Sequence, residues 1–211
     1  VTESERWLRA GKWTGMPFSR MLGTEVHHAT LGILGMGRIG RAVARRARGF
    51  DMQVIYHNRT RLTADEEHAA GARYVSLEEL LQASDFLSLH LPYSQESHHL
   101  TGAAELARMK PSAFIINAAR GGIIDDAALV AALKDGRIAG AGLDVYEGEP
   151  QFNRALLDLD NVALAPHLGS ATRSTRMAMA DLAIRNLKAA LAGERPPCLI
   201  NAEAWQGRRG V

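Results

Sequence analysis

Cysteine is almost missing from this chain. Cys198 is the one thiol in 211 residues, so no intramolecular disulfide framework and no cysteine metal cluster can form, and a reducing cytoplasm is the default setting. An excess of charge of either sign is missing too. A net charge of +2 favours neither nucleic acid nor an anionic membrane. No apolar run approaches the length needed to span a bilayer. The opening residues, Val1-Thr2-Glu3-Ser4-Glu5-Arg6, are charged and read as the middle of a chain rather than a leader peptide. Internal repeats and low-complexity tracts are absent. The remainder is an ordinary apolar fraction on a length suited to one large domain or two small ones.

The stretch that organises the chain is Leu31 to Asn58. A short apolar run, Leu31 to Leu34, leads into Gly35-Met36-Gly37-Arg38-Ile39-Gly40, a G-x-G-x-x-G. A helical pattern follows, with Ile39, Val43, Ala44 and Ala47 on one face, and a second apolar run, Met52 to Tyr56, closes the unit. Strand, glycine turn, helix and strand make one dinucleotide-binding half. Gly35 serves the tight turn, Gly37 lets backbone approach a pyrophosphate, and Gly40 lets the helix pack on the strand. The helix start then offers free N–H groups and a positive dipole end to phosphate.

Along the rest of the chain, helical and strand patterns alternate. Helices are expected over 62–70, 77–82, 101–109, 126–134 and 170–192. Strands are expected over 73–75, 85–91, 113–117, 138–145 and 161–165, most of them apolar on both faces. That pattern predicts an α/β fold, a Rossmann-type doubly wound parallel sheet covered on two sides. Residues 1–30 read as the end of a helix and an arm, 31–192 as the dinucleotide-binding domain, and 193–211 as a tail. Within the arm, Trp13 and Phe18 are expected to pack on the domain or on a second subunit. Arg41, Arg45 and Arg48 line one helix face and are expected to be solvated. The same holds for Gln95, Glu96, His98 and His99, and no metal site is expected from these or from His27-His28.

In open parallel sheets, ligands bind beyond the carboxyl ends of the strands. Three chemically active residues fall just past such ends: Arg120 in Asn117-Ala118-Ala119-Arg120-Gly121-Gly122, Glu149 in Tyr146-Glu147-Gly148-Glu149-Pro150, and His167 in Pro166-His167-Leu168-Gly169. Asp144 ends a strand in the same region. A guanidinium, a carboxylate and an imidazole thus converge on the edge where the glycine loop would hold a cofactor.

With these residues in place, the chain resembles the D-2-hydroxyacid dehydrogenases, specifically their coenzyme-binding domain. The motifs LGILGMGRIG, SLHLPYSQESHHL, FIINAARGGIIDDAALVAAL, AGLDVYEGEP and ALAPHLGSAT occur in family order from about Trp7 to Asn201. The resemblance implies that Arg120, Glu149 and His167 are the catalytic triad. It implies cofactor contacts from Gly35, Gly37, Arg38, Ile39 and Gly40 at the pyrophosphate. Leu91, Pro92, Ala118, Ala119 and Asp144 would lie on the nicotinamide side of the pocket, Asp144 taking the carboxamide, with Arg120, His167 and Gly169 as further cofactor contacts. His167 would be the general acid, Glu149 would fix its ring through the other nitrogen, and Arg120 would clamp a 2-oxo acid through its planar fork.

Where NAD-dependent members carry Asp or Glu at the end of the second strand, this chain has Asn58, followed by Arg59, Thr60 and Arg61. That resembles the NADP-preferring glyoxylate and hydroxypyruvate reductases, so NADP(H) is the expected cofactor, with NAD(H) as the alternative. The implied partner is a small 2-oxo or 2-hydroxy acid, with a homodimer through this domain, and neither nucleic acid nor membrane. The family's substrate-binding domain is expected to lie outside these residues. Two other readings stay open on sequence: a phosphoglycerate dehydrogenase-like enzyme, and a cofactor-sensing corepressor-like module, whose family members keep the same triad.

Overall fold

The computed structural model describes residues 2–15 and 22–206; Phe18 lies outside the described residues. The chain divides into two compact units, Val1–His167 and Leu168–Val211.

The first unit begins with α1 (Thr2–Arg9), then alternates strands and helices: β1 (Thr30–Leu34), α2 (Arg38–Ala47), β2 (Gln53–His57), α3 (Ala64–Ala70), β3 (Arg73–Tyr74), α4 (Leu77–Ala83), β4 (Phe86–Leu89), α5 (Ala103–Leu106), β5 (Phe114–Asn117), α6 (Asp126–Lys134), β6 (Gly140–Leu143) and β7 (Val162–Leu164). The strands form one seven-stranded sheet in the order β3-β2-β1-β4-β5-β6-β7, every pairing parallel. This is the Rossmann-type order. The chain builds outward from β1 to β3, then returns to β4 on the other side of β1. At that reversal Leu34 and Leu89 are paired neighbours.

The pleat explains why both faces are apolar. Leu31, Ile33, Val54 and Tyr56 point one way and bury Ala44 and Ala47 of α2. Leu34, Ile55, Leu87 and Leu89 belong to the opposite core, with Leu80 and Leu81 of α4 and Leu129 and Leu133 of α6. Ile33, Leu80, Leu81 and Leu129 are fully buried, worth roughly 1.5–3 kcal/mol each in transfer free energy.

Most predicted elements appear with shorter bounds. Asp85, expected inside a strand, sits just before β4. Its carboxylate accepts from the Thr30 N–H at 2.8 Å and from Lys110 Nζ at 2.7 Å, joining the starts of β1 and β4. Burial pushes this carboxyl up, but the Lys110 ammonium and the Thr30 amide outweigh it and hold it below the usual range. The helix expected over 101–109 reduces to α5, because Thr101 is drawn into a bridge with Ile124. Residues 95–99 form turns. Arg41 of α2 and Arg48, the residue just past it, are not simply solvated: Arg41 pairs with Glu66 at 2.8 Å and Arg48 donates to the Ala69 carbonyl at 2.6 Å, tying α2 to α3. Trp13 is exposed.

The second unit is helical. α7 (Arg173–Leu191) is capped by Thr172, whose hydroxyl accepts from the Thr175 N–H, as expected of an N-cap threonine. The segment after it does not simply trail off: the Cys198 N–H donates to Asn186 at 2.9 Å, and α8 (Ala202–Gln206) follows. Among the described residues, no helix is long and apolar enough to cross a membrane.

Candidate active site

The glycine turn follows β1 directly. Gly35 adopts φ +101 against the backbone of His90 and Leu91, a conformation that L side chains rarely reach. Gly40 packs so closely on the Gly35 carbonyl that a side chain would overlap it, whereas a Cβ on Gly37 would meet nothing within 4 Å. The turn is thus tight at both ends and open in the middle, where a backbone-hugging group can enter. α2 starts at Gly37 without a side-chain cap and without an acidic residue in its first turn, so its positive end is left for an anion.

Ile39 corrects one sequence expectation. It does not join the packed face of α2, whose buried residues are Gly40, Ala44 and Ala47. It is 64% exposed and, with Gly37 and Arg38, lines a cavity of about 460 Å³. Opposite stand Leu91 and Pro92 after β4, and Ala118, Ala119 and Arg120 after β5. The helix's first turn overhangs the sheet edge, so a residue in phase with the core stripe still faces the crevice.

Asn58, at the end of β2, accepts the Met36 N–H on Oδ1 at 2.6 Å, locking the glycine turn to that strand. Arg59 and Thr60 are exposed beyond it, and the Arg59 charge is felt by Glu96. Arg61 is committed elsewhere. Its guanidinium holds both Glu67 oxygens at 2.8 and 3.0 Å and lies over the Tyr74 ring. Arg61 and the Tyr56 hydroxyl hold the Glu67 carboxyl down to about 2.

A second cavity, about 450 Å³, is lined by Tyr93, Arg120, Gly121, Gly122 and the Tyr146–Glu149 loop. The loop after β5 is braced by Asn117, which donates to the Arg120 carbonyl at 2.9 Å and accepts from the Ala119 N–H at 3.1 Å. Arg120 Nη1 donates to the Ala119 carbonyl at 2.6 Å. In the loop after β6, Glu149 Oε1 lies 2.8 Å from His167 Nδ1. His167 follows β7 with φ +54, and its N–H donates to the Asp144 carbonyl at 2.9 Å. Buried Tyr146 donates its hydroxyl to the Ala165 carbonyl at 2.9 Å, which ties the loop carrying Glu149 to the strand end carrying His167.

Residues 1–169 match the family model of the D-isomer specific 2-hydroxyacid dehydrogenase NAD binding domain. The chain belongs to that family. It is 49% identical over 207 residues to a glyoxylate reductase of Thermococcus litoralis, covering 96% of this chain and 62% of that protein. Among solved structures, a glyoxylate reductase from Paecilomyes thermophila is 48% identical with TM-score 0.81, over 88% of this chain and 55% of that one. An NADPH-dependent glyoxylate/hydroxypyruvate reductase from Sinorhizobium meliloti, solved with citrate, is 41% identical with TM-score 0.81, over 92% and 60%. The chain therefore spans about 60% of the length of curated relatives it matches.

As a member of this family, the chain places the sequence-nominated residues of its first unit along one sheet edge, while Gly169 belongs to the second unit. Sequence reading missed His90 and Tyr93, both lining the 460 Å³ cavity. His90 Nε2 is 2.9 Å from the Ser88 hydroxyl, and burial holds its imidazole below the ordinary histidine range, toward the neutral form. The strand-end rule that nominated Arg120 and His167 points equally to His90, directly after β4.

Gly121 sets the closeness of the two loops: a Cβ there would overlap the Tyr146 carbonyl. Gly121→Ala should destabilise the chain by about 1–3 kcal/mol in urea unfolding. Gly37→Ala should leave stability near that of the parent and instead weaken dinucleotide binding. Equal stability losses in the two variants would contradict this division of labour.

Proposed function

We propose that this chain carries the cofactor half and the catalytic triad of an NADPH-preferring reductase. Its reaction reduces a small 2-oxo acid of the glyoxylate or hydroxypyruvate type to the D-2-hydroxy acid. The observation that carries the reading is the 2.8 Å His167–Glu149 pair, whose Glu149 lines one cavity with Arg120 at the carboxyl edge of the sheet. The open Gly37 backbone and uncapped start of α2 fit a pyrophosphate, and the 460 Å³ cavity fits the nicotinamide end, with Asp144 at the strand end to take its carboxamide.

When bound, the reduced nicotinamide supplies the hydride. The protein's own residues supply the rest. Arg120 pairs with the substrate carboxylate and polarises the carbonyl through its fork of N–H donors. Glu149 holds His167 by Nδ1, which leaves Nε2 to deliver the proton to the carbonyl oxygen. Solvent restores that proton after product leaves; in these residues alone the His167 side chain is 51% exposed.

The same exposure bears on what these 211 residues do alone. The chain should bind NADPH in calorimetry yet oxidise it only slowly with glyoxylate, because water is not excluded and substrate is held from one side. No heat on NADPH addition, or rapid turnover by this chain alone, would each overturn the corresponding half. The activity itself is tested by glyoxylate-dependent NADPH oxidation in a protein containing these residues at the full length of its relatives, and a complete absence of it would end the proposal.

A further inference from the structure

We propose that His98, His99 and Glu147 form a binding site for a divalent transition-metal ion of the zinc class, reached from the cavity that Glu147 lines together with Arg120 and Glu149. One donor atom from each of the three side chains lies within 4.8 Å of the others. His99 Nε2 is 2.9 and 3.1 Å from the two Glu147 oxygens. Zinc bonds of about 2.0–2.1 Å in a tetrahedral arrangement set donors about 3.3 Å apart. That pair already has the required spacing, and an ion would take the place of the proton between them.

His98 completes the set. Its ring lies face to face with that of His99, 3.9 Å between centroids and 24° from parallel, so the exposed His98 side chain turns on its own torsions to bring its lone pair onto the ion. His98 Nδ1 lies 3.2 Å from the Tyr93 hydroxyl. A proton shared at Nδ1 leaves the Nε2 lone pair for the ion, the kind of outer hydrogen bond that orients metal-ligating histidines. The backbone is braced without any ion. The His99 N–H donates to the Gly122 carbonyl at 2.8 Å, and the Glu147 N–H donates to Asp126 at 3.2 Å. Two imidazoles and one carboxylate match a zinc site with an open fourth position; magnesium and calcium prefer all-oxygen sets.

A second triplet, His27, His28 and Asp51, also brings its donors together. All three residues are exposed, and among the described residues no hydrogen bond orients the His28 ring. It is the weaker candidate and supplies the control.

The test is calorimetric titration of the untagged 211-residue chain with zinc chloride, and with magnesium chloride as comparison. One zinc per chain is expected, with no magnesium signal. Outer-shell partners alone are worth roughly 10- to 100-fold in affinity, so His98→Ala and Glu147→Gln should each weaken zinc by at least about 10-fold. His27→Ala should leave the isotherm unchanged, and circular dichroism melts confirm that the variants fold. His98 is exposed, so its variant keeps the test valid should Glu147→Gln disturb the loop. No zinc binding, an isotherm unaltered by His98→Ala, or loss on His27→Ala alone would each overturn the site. None of these outcomes depends on reductase activity.

Discussion

Replacing His167 with alanine should lower turnover by about 10²–10⁴-fold, the range for a lost general acid, in a reductase that contains these residues. NADPH affinity should change little. The expectation rests on a separation visible in the structure. The His167 main chain is held by its own N–H to the Asp144 and Ala165 carbonyls, so the backbone does not depend on the imidazole. The glycine turn and the Asn58–Met36 bond lie on the other side of the crevice. What alanine removes is the imidazole and its 2.8 Å contact with Glu149. Because His167 sits at φ +54, His167→Asn is the companion variant: asparagine tolerates that backbone but cannot act as the acid, so it should be equally impaired. Glu149→Gln keeps a hydrogen-bonding partner for the ring, and should lower turnover less than loss of the imidazole does. Near-normal turnover in His167→Ala, measured by NADPH oxidation with glyoxylate, would remove His167 from its role.

The second large effect concerns the cofactor. Parent protein should prefer NADPH over NADH by roughly ten- to a hundredfold. One charge-assisted hydrogen bond contributes about 1.5–3 kcal/mol, and about 1.4 kcal/mol is a factor of ten. A carboxylate at the end of β2 would bind the ribose hydroxyls of NADH and repel a 2′-phosphate; Asn58 is neutral and occupied with Met36. Arg59 is exposed beside it, and Thr60 adds a hydroxyl. Arg61 should contribute nothing to such a preference, since Glu67 holds it by both oxygens. The double variant Asn58→Asp with Arg59→Ala is a clean probe, because aspartate can still accept the Met36 N–H and keep the turn in place. The preference should collapse or reverse, and in the parent it should weaken with added salt. Arg61→Ala should leave it unchanged. Equal affinities for the two cofactors in the parent would defeat this account of selectivity.

The sequence alone determined the parallel α/β architecture. Apolar runs such as Leu31 to Leu34 and Val54 to Tyr56, bounded by glycine and capping signals, leave few alternatives to strands buried on both faces. It also nominated Arg120, Glu149 and His167, because a reactive residue just past a strand end is a local pattern. Phase and charge partners at long range were not legible. Ile39 fits the helical stripe of α2, and only the position of that helix at the sheet edge turns it into the crevice. Arg41 reads as solvated, and only the fold brings Glu66, 25 positions away, to it. The 2.8 Å approach of Glu149 to His167 depends on Gly121 meeting the Tyr146 carbonyl and on Tyr146 reaching Ala165. His99 reads as a surface residue until tertiary structure sets Glu147, 48 positions away, against its ring. Periodicity and caps act over a few residues and are written in the chain, whereas contacts between loops are decided by the sheet that aligns them.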